Sequence, residues 1–507
     1  MLEAGSGVID ITPKNPVFLG GYGVGPLRRC THLSAPIFAR ALLLRESLGQ
    51  HGGSTGSVSF LVLDTQGLPY ETTREWFGFR AIEEELKNRV PDLQILFGAS
   101  SHSHCCPDST GLWGGLDDEY ATQLIEGAIA AVDAASRDAK PCKVSFGVTN
   151  TRGLLRSQVR TAPHDRIEER IFVLEARSEA AIPIGRIVVF SAHPTVASGN
   201  HLTPDWPGEL SSLLESDPGG TTLVIPGSLG RTQPKIRGDG SQRAVRQYAR
   251  SLETQLRPLL ENLHSVTDIG SPTVQTVQAL SATGRARESE AVRRTLEWAN
   301  DTVEHPITNI AMLAAAKALG RVTKRPGLST ALPVARTTSR VVRVGNVYFF
   351  GFPGEAYPNL QWELETQMSS IAPGSATVVC SMVADQIGYL IYPPSSYLGL
   401  AARSAWNDNA LFCSAPALGQ HLLEASLHFA TQLAGTQVRA PLPREVGCDR
   451  RIPHAAAAVW DLLGFPASAL ATALTVCGAV GYAAAPLGIR VAQFAKKIAS
   501  DLGNAGG

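Results

Sequence analysis

The sequence predicts an α/β protein with a mixed sheet core, flanking helices and a functional site at the carboxyl ends of its strands. Three observations lead there. Short apolar runs bounded by Gly and polar residues recur along the chain. Amphipathic stretches of helical length alternate with the first of them. Several of the runs end directly on a chemically competent side chain, which is where α/β folds gather functional groups.

Residues 58–64 (Val-Ser-Phe-Leu-Val-Leu-Asp) read as a buried strand, 70–88 as an amphipathic helix and 94–100 as a second strand. A helix follows near 118–136. Strand, helix and strand in succession predict parallel pairing. Further strands are expected over 186–191, 222–226, 341–350 and 376–382, and longer helices over 241–263, 286–300 and 410–434. The chain shows no internal repeat.

The 507 residues, 44% of them hydrophobic, are enough to bury one large core or two ordinary ones. Lys and Arg (45) balance Asp and Glu (45), with no dense basic run interleaved with aromatics, which argues against a nucleic-acid partner. Only 18% of residues are charged, and 48 Gly and 32 Pro suit a loop-rich enzyme better than a helical bundle or a disordered chain. Cysteines stand at 30, 105, 106, 142, 380, 413, 448 and 477 with no CxxC pair, so a structural thiolate zinc site is not expected. Buried free thiols are expected instead. The start, Met-Leu-Glu-Ala-Gly-Ser-Gly, carries no basic and no apolar leader region, so a cytoplasmic or peripheral-membrane location is the expectation.

Composition divides the chain into a catalytic domain, 1–440, and an Ala-rich C-terminal tail, 441–507. Leu462 to Ile489 holds no charged residue and is long enough to cross a bilayer. Its Ala, Gly, Ser and Thr content, with Pro466 and Pro486, gives a weak hydrophobic drive. Membrane-surface association through 462–489, a docking helix pair and a loosely ordered tail are the three readings of it.

The strongest local signal is His102-Ser103-His104, directly after the 94–100 strand. Histidines at i and i+2 of an extended chain point the same way, and neutral imidazole is a common zinc ligand. The ordinary alternative is a pair of surface or capping histidines. Ser191-Ala192-His193-Pro194-Thr195 also ends an apolar strand, as does Gly351-Phe352-Pro353-Gly354-Glu355, and Asp385-Gln386-Ile387-Gly388-Tyr389 follows a fourth. Taken singly, His193 reads as a structural histidine, Glu355 as a helix cap and Tyr389 as a half-buried aromatic. Taken together, four strand ends each deliver a potential ligand or polar group, and catalytic zinc needs three or four plus an open position for water. Asp64 reads as a structural carboxylate satisfying loop amides, and Asp205 as a hydrogen-bond partner for a ligand histidine. His164, His305, His421 and His428 show no partner pattern.

These motifs resemble those of the neutral, non-lysosomal ceramidases and their bacterial relatives, in order over roughly residues 4–440. The opening Gly7-Val8-Ile9-Asp10-Ile11-Thr12-Pro13 is similar to the family's Asp-Ile-Thr-Pro. Gly20-Gly21-Tyr22-Gly23 and Ala39-Arg40-Ala41-Leu42 follow. Ser101-His102-Ser103-His104 resembles Thr-His-Thr-His, and Ala192-His193-Pro194-Thr195 with Asp205-Trp206-Pro207-Gly208 resembles the His-Pro-Thr and Asp-Tyr-Pro-Gly pair. Pro353-Gly354-Glu355 and Gly388-Tyr389 resemble the late motifs. The resemblance implies a Zn2+ cofactor held by His102, His193, Glu355 and Tyr389, with His104 beside the metal as the catalytic residue. It implies cleavage of a lipid or other small-molecule amide, an N-acyl sphingoid base giving fatty acid and amine.

The sequence departs from the family at Gln233, which stands where a serine is expected in the loop Gly227–Pro234, and at Cys105-Cys106, which replace Ser-Gly. Ser404-Ala405-Trp406 lies near the place of a missing Tyr-Glu-Gly. Two other functions therefore stand beside the amidase. One is a zinc esterase, phosphoesterase or peptidase on a non-lipid substrate. The other is a catalytically silent binding protein on the same scaffold.

Overall fold

The structure is a computed structural model that describes residues 2–22, 26, 28–46, 56–158, 166–235, 239–266, 296–306, 334–394, 396, 409 and 412–435. The first sheet uses strands β1 (Leu2–Asp10), β2 (Phe38–Glu46), β3 (Gly56–Leu63), β4 (Leu93–Ser100), β5 (Lys140–Asn150), β6 (Arg170–Ser178), β7 (Pro183–Phe190) and β8 (Thr221–Pro226). Their order is β8-β7-β6-β5-β1-β2-β3-β4, with His264–Ser265 added against β5. Pairing is parallel for β3 with β4 and for β7 with β8, and antiparallel elsewhere. The mixed α/β core expected from the sequence is thus present.

The sheet is pinched in the middle. β1 and β5 pair only where Glu3 and Ala4 meet Pro141 and Lys140. The two halves lie face to face, and one apolar cluster takes Leu42 and Leu44 from β2, Ile187 and Val189 from β7, and Leu223 and Ile225 from β8. The alternate residues of β7, Val188 and Phe190, belong to a second cluster with Trp206, Leu210, Tyr248 and Leu252 of helices α3 (Asp205–Ser216) and α4 (Gln242–Leu260). Period-2 alternation therefore feeds two cores from one strand. On the other outer face, α2 (Asp118–Arg137) covers β1 and β2. The Asp117 carboxylate starts this helix by accepting from the Tyr120 amide at 2.8 Å. The layers run helix, sheet, sheet, helix.

A second sheet runs β9 (Leu296–Pro306), β10 (Val334–Val344), β11 (Val347–Gly351), β12 (Ala376–Cys380). Helices α5 (Pro358–Ile371) and α6 (Leu418–Ala434) pack on it in a third cluster. It docks on the edge of the first sheet. The Ala384 amide donates to Gly98 O at 2.7 Å, the Ser100 amide donates to Met382 O at 3.2 Å, and the Phe349 and Phe60 rings stand 5.4 Å apart. This docking brings the carboxyl ends of β11 and β12 to those of β4 and β7.

Several sequence-based boundaries shift. The helix expected over 70–88 is α1, Phe79–Arg89. The Tyr70 amide donates to the Asp385 carboxylate at 3.0 Å, and Thr72 closes a side-chain turn onto the Arg74 amide, so this segment's hydrogen bonds go elsewhere. The expected 286–300 helix is overturned where it is described, because 296–300 belong to β9, paired along its whole length with β10. A long ladder outweighs local helical pattern. The single strand expected over 341–350 is a hairpin, β10 and β11, turning at Gly345-Asn346. The helix expected from 410 begins at Leu418, just beyond Pro416, which disfavours helix in the residue before it. The tail from 441 onward lies outside the described residues, as do Cys448, Cys477, His164 and Ser404-Ala405-Trp406. No described helix is long and apolar enough to cross a membrane. The other six cysteines are free.

The tightest helix–sheet contact is at β1. A Cβ added at Gly7 would lie 2.1 Å from Ala131 O of α2. Gly7→Val should lower the thermal unfolding midpoint, by an overpacking penalty of about 1–3 kcal/mol or more. Circular dichroism melting checks this, and an unchanged midpoint would contradict the contact.

Candidate metal centre

Each imidazole of the site is placed by main-chain chemistry around a strand end. His102 follows β4 in the left-handed region, at φ 67. Such a residue costs of the order of 1–3 kcal/mol and persists where its surroundings fix it. Here the His102 amide donates to Thr65 O at 3.0 Å, and ring Nδ1 donates to Gln66 O at 2.7 Å. A carbonyl only accepts, so Nδ1 carries the proton and Nε2 presents its lone pair. His102 and His104 are thus not aligned by extended chain. They converge through a bend, with ring centroids 5.0 Å apart and planes at 88°.

His193 follows β7 and repeats the scheme. Both its amide, at 3.0 Å, and its Nδ1, at 2.8 Å, donate to Thr232 O. The second bond again turns Nε2 inward. Trp206 Nε1 donates to His193 O at 3.2 Å. Asp205, expected to hold a ligand ring, instead accepts from the Ala197 amide at 2.8 Å and the Trp206 amide at 2.6 Å. It braces the turn after His193 and leaves the ring to Thr232. Asp64 meets its structural reading, bonding the Phe38 amide at 2.9 Å and Arg40 at 3.2 Å.

Glu355 follows β11. Residues 355–356 pair in parallel with 389–390, so Glu355 stands beside Tyr389. A Cβ at Gly354 would sit 2.3 Å from Gly388 O, which is why the two late motifs need glycine at this crossing. The Glu355 carboxylate lies 2.9 Å from His193 Nε2 and 3.5 Å from His102 Nε2. The Tyr389 ring centroid is 6.3 Å from that of His193. All five residues singled out in the sequence therefore meet in one place.

Lone pairs confront a carboxylate here. Burial alone would raise the Glu355 carboxyl, but the charge and hydrogen bonds that His102 and His193 bring when each holds a proton toward it outweigh this and hold it well below the ordinary range. Two acceptors at such distances need a proton or a cation between them. The buried Nε2 of His102 and both ring nitrogens of His104 have no hydrogen-bond partner. The ligand atoms of His102, His104 and His193 lie within 4.8 Å of one another, a grouping able to hold a metal ion. His104 is pushed well below the ordinary histidine value by burial, then by the positive charge that His102 and His193 carry when protonated.

His104 is walled by the Gly20–Tyr22 segment. Gly21 has φ 94, and a Cβ there would fall 2.3 Å from His104 Cγ. The Tyr22 ring meets His104 edge-on at 4.9 Å. Gln233 does not leave an open polar position. Its Oε1 accepts from the Thr195 hydroxyl at 2.6 Å and its Nε2 donates to Gln158 Oε1 at 3.3 Å. Burial pushes the Cys105 thiol up to about 12, with Arg28 acting against it, and raises Cys106 as well. Both stay thiols at neutral pH and do not compete as ligands. His421 and His428 lie on α6, away from the cluster. The sequence reading missed Gln66, Thr232 and Arg28. The first two act through backbone carbonyls and carry no side-chain signal.

The fold is similar to that of the crystal structure of neutral ceramidase from Pseudomonas aeruginosa, with a TM-score of 0.64 and 15% identity, covering 88% of this chain and 78% of that one. A structure of ceramidase complexed with C2 gives a TM-score of 0.64 and 14% identity, with the same coverage. At these identities the likeness is one of fold. No family model matches the sequence, and no curated protein matches it.

Burial raises the Asp205 carboxyl from 3.8 to about 6, with its backbone hydrogen bonds acting the other way. Between those two values the folded protein holds a proton that the unfolded chain has released. The stabilisation linked to that proton is complete below the unfolded value and is lost as pH rises through the folded one. The thermal midpoint of Asp205→Asn relative to the parent should therefore move in the variant's favour between pH 4 and pH 7 (about the span of the two values). A pH series of melts reads it, and a constant gap would refute the shift.

Proposed function

We propose that this protein is a zinc-dependent amidase acting on an N-acyl lipid of the ceramide type. In this reading His102, His193, Glu355 and Tyr389 hold the metal and His104 handles the proton. The observation that carries it is the pair of backbone-anchored imidazoles presenting Nε2 to one buried carboxylate, 2.9 and 3.5 Å away. Two nitrogens, a carboxylate and a phenol form a donor set that suits zinc and leaves room for water. His104 differs from the two ligand histidines because neither of its nitrogens is tied from behind. An imidazole free at both nitrogens can take a proton at one and release one at the other.

Zinc bound there would polarise the amide carbonyl and lower the pKa of a coordinated water. The chain's own residues do the rest. The carbonyls of Gln66 and Thr232 keep two imidazoles in the ligating tautomer. His104, kept neutral by burial and its neighbours, accepts the proton of the attacking water and returns it to the leaving amine. The lipid amide class is supported by the shared fold with the two ceramidase structures. At the family's serine position, Gln233 offers an amide already engaged by Thr195 and Gln158. For a lipid substrate, residues 462–489 would serve as a surface-associating segment.

Purified protein should carry about one zinc per chain by elemental analysis. His193→Ala should lose the metal and keep the fold by circular dichroism. His104→Ala should keep the metal and lose about 10²–10⁴-fold in turnover of a fluorescent N-acylsphingosine. Less than about half an equivalent of zinc in folded parent protein would overturn the reading. Cleavage confined to esters or short peptides in a parallel panel would sink the amide assignment.

A further inference from the structure

We infer that Arg28 is the positioning residue of His104, and this rests on the proton-handling role given to His104 above. The half-buried guanidinium gathers the segments that wall the ring. Nη1 donates to His104 O at 2.7 Å and to Gly20 O at 3.0 Å. Nη2 donates to Cys105 Sγ at 3.4 Å and to Gly199 O. The guanidinium carbon also stands 4.8 Å from the centroid of the Tyr22 ring, which meets the His104 ring at a steep angle. The Tyr22 hydroxyl in turn donates to Ala197 O at 3.1 Å, and the Ala197 amide is held by Asp205. One side chain therefore joins the glycine loop, the His104 main chain and the 197–199 turn.

The selectivity of this arrangement separates it from a general structural staple. His102 and His193 have their own anchors, Gln66 O and Thr232 O, and neither is among the hydrogen-bond partners of Arg28. His104 has no ring anchor, so its place depends on its main chain and on the Gly21 and Tyr22 wall. Only a planar fork of donors serves four acceptors and stacks on a ring at once. A lysine ammonium keeps the charge and loses that geometry.

The test uses zinc-loaded, full-length Arg28→Lys with nitrogen-15-labelled histidine. His104 ring signals, identified by their loss in His104→Ala, should shift or broaden, while those of His102 and His193 coincide with the parent and zinc content is unchanged. On the substrate that the parent turns over best, kcat should fall about 10²-fold with KM within about threefold. Unmoved His104 signals would overturn the inference, as would His102 and His193 signals that move equally. If the parent hydrolyses nothing, the proposed function fails, and the ring signals still decide the role of Arg28. Should Arg28→Lys not fold, Arg28→Gln replaces it. Loss of the fold in both would overturn the inference by making Arg28 a support of the whole molecule.

Discussion

The Nδ1–H groups of His102 and His193 each point at a main-chain carbonyl, at 2.7 Å from Gln66 O and 2.8 Å from Thr232 O, and the orientation of the centre follows from those two bonds. They fix the tautomer, aim both Nε2 lone pairs inward and set what the buried Glu355 carboxylate meets. The carbonyls are well held themselves. Thr232 O also takes the His193 amide, and the Thr232 segment pairs with 155–157. His102 adopts a left-handed conformation to reach its partner. Strain at a site is tolerable when neighbouring bonds determine it this fully.

The scaffold supplies convergence. The pinched first sheet and its helices set the ends of β4 and β7 near one another. The second sheet, stitched along the β4 edge, brings in Glu355 and Tyr389. Each imidazole sits where a strand stops pairing with its neighbours, so its backbone is free to bend and its ring free of the core. Arg40, from the early Ala-Arg-Ala-Leu motif, ties Asp64 to Glu215 of α3 across the two halves of the first sheet. The motifs in the sequence thus divide between groups that face the site and groups that hold its walls.

Much of this was legible in the chain. The apolar runs at 58–64, 94–100, 186–191 and 222–226 are strands within a few residues, and the α/β class follows from them. The five site residues meet because each ends such a run, or directly follows one, and such ends are where loops can present side chains. Periodicity failed where a partner decided the outcome. Residues 296–300 carry no local mark of the ladder they join. Strands β1, β2, β5 and β6 went unread, for Gly5, Gly7 and Gly147 interrupt β1 and β5, and the charges of Arg40 and Arg45 in β2 and of Glu175 and Arg177 in β6 are satisfied only in the folded state. Gln66 and Thr232 escaped notice because their main chain acts and any residue offers a carbonyl. The exchange of Asp205 from ring partner to turn brace has the same origin, since an aspartate's acceptors can serve amides as readily as an imidazole.

Glu355 follows His193 by 162 residues. During synthesis both backbone-anchored imidazoles emerge, with their carbonyl anchors, well before the acid they face. Domains form largely in order of emergence, and contacts this distant in sequence close late. The carboxylate is therefore the last of these groups to leave the ribosome, and its contact with the imidazoles is the one expected to close latest. Docking of the second sheet is what sets Glu355 against them, so the order in which the chain leaves the ribosome favours late arrival of the carboxylate.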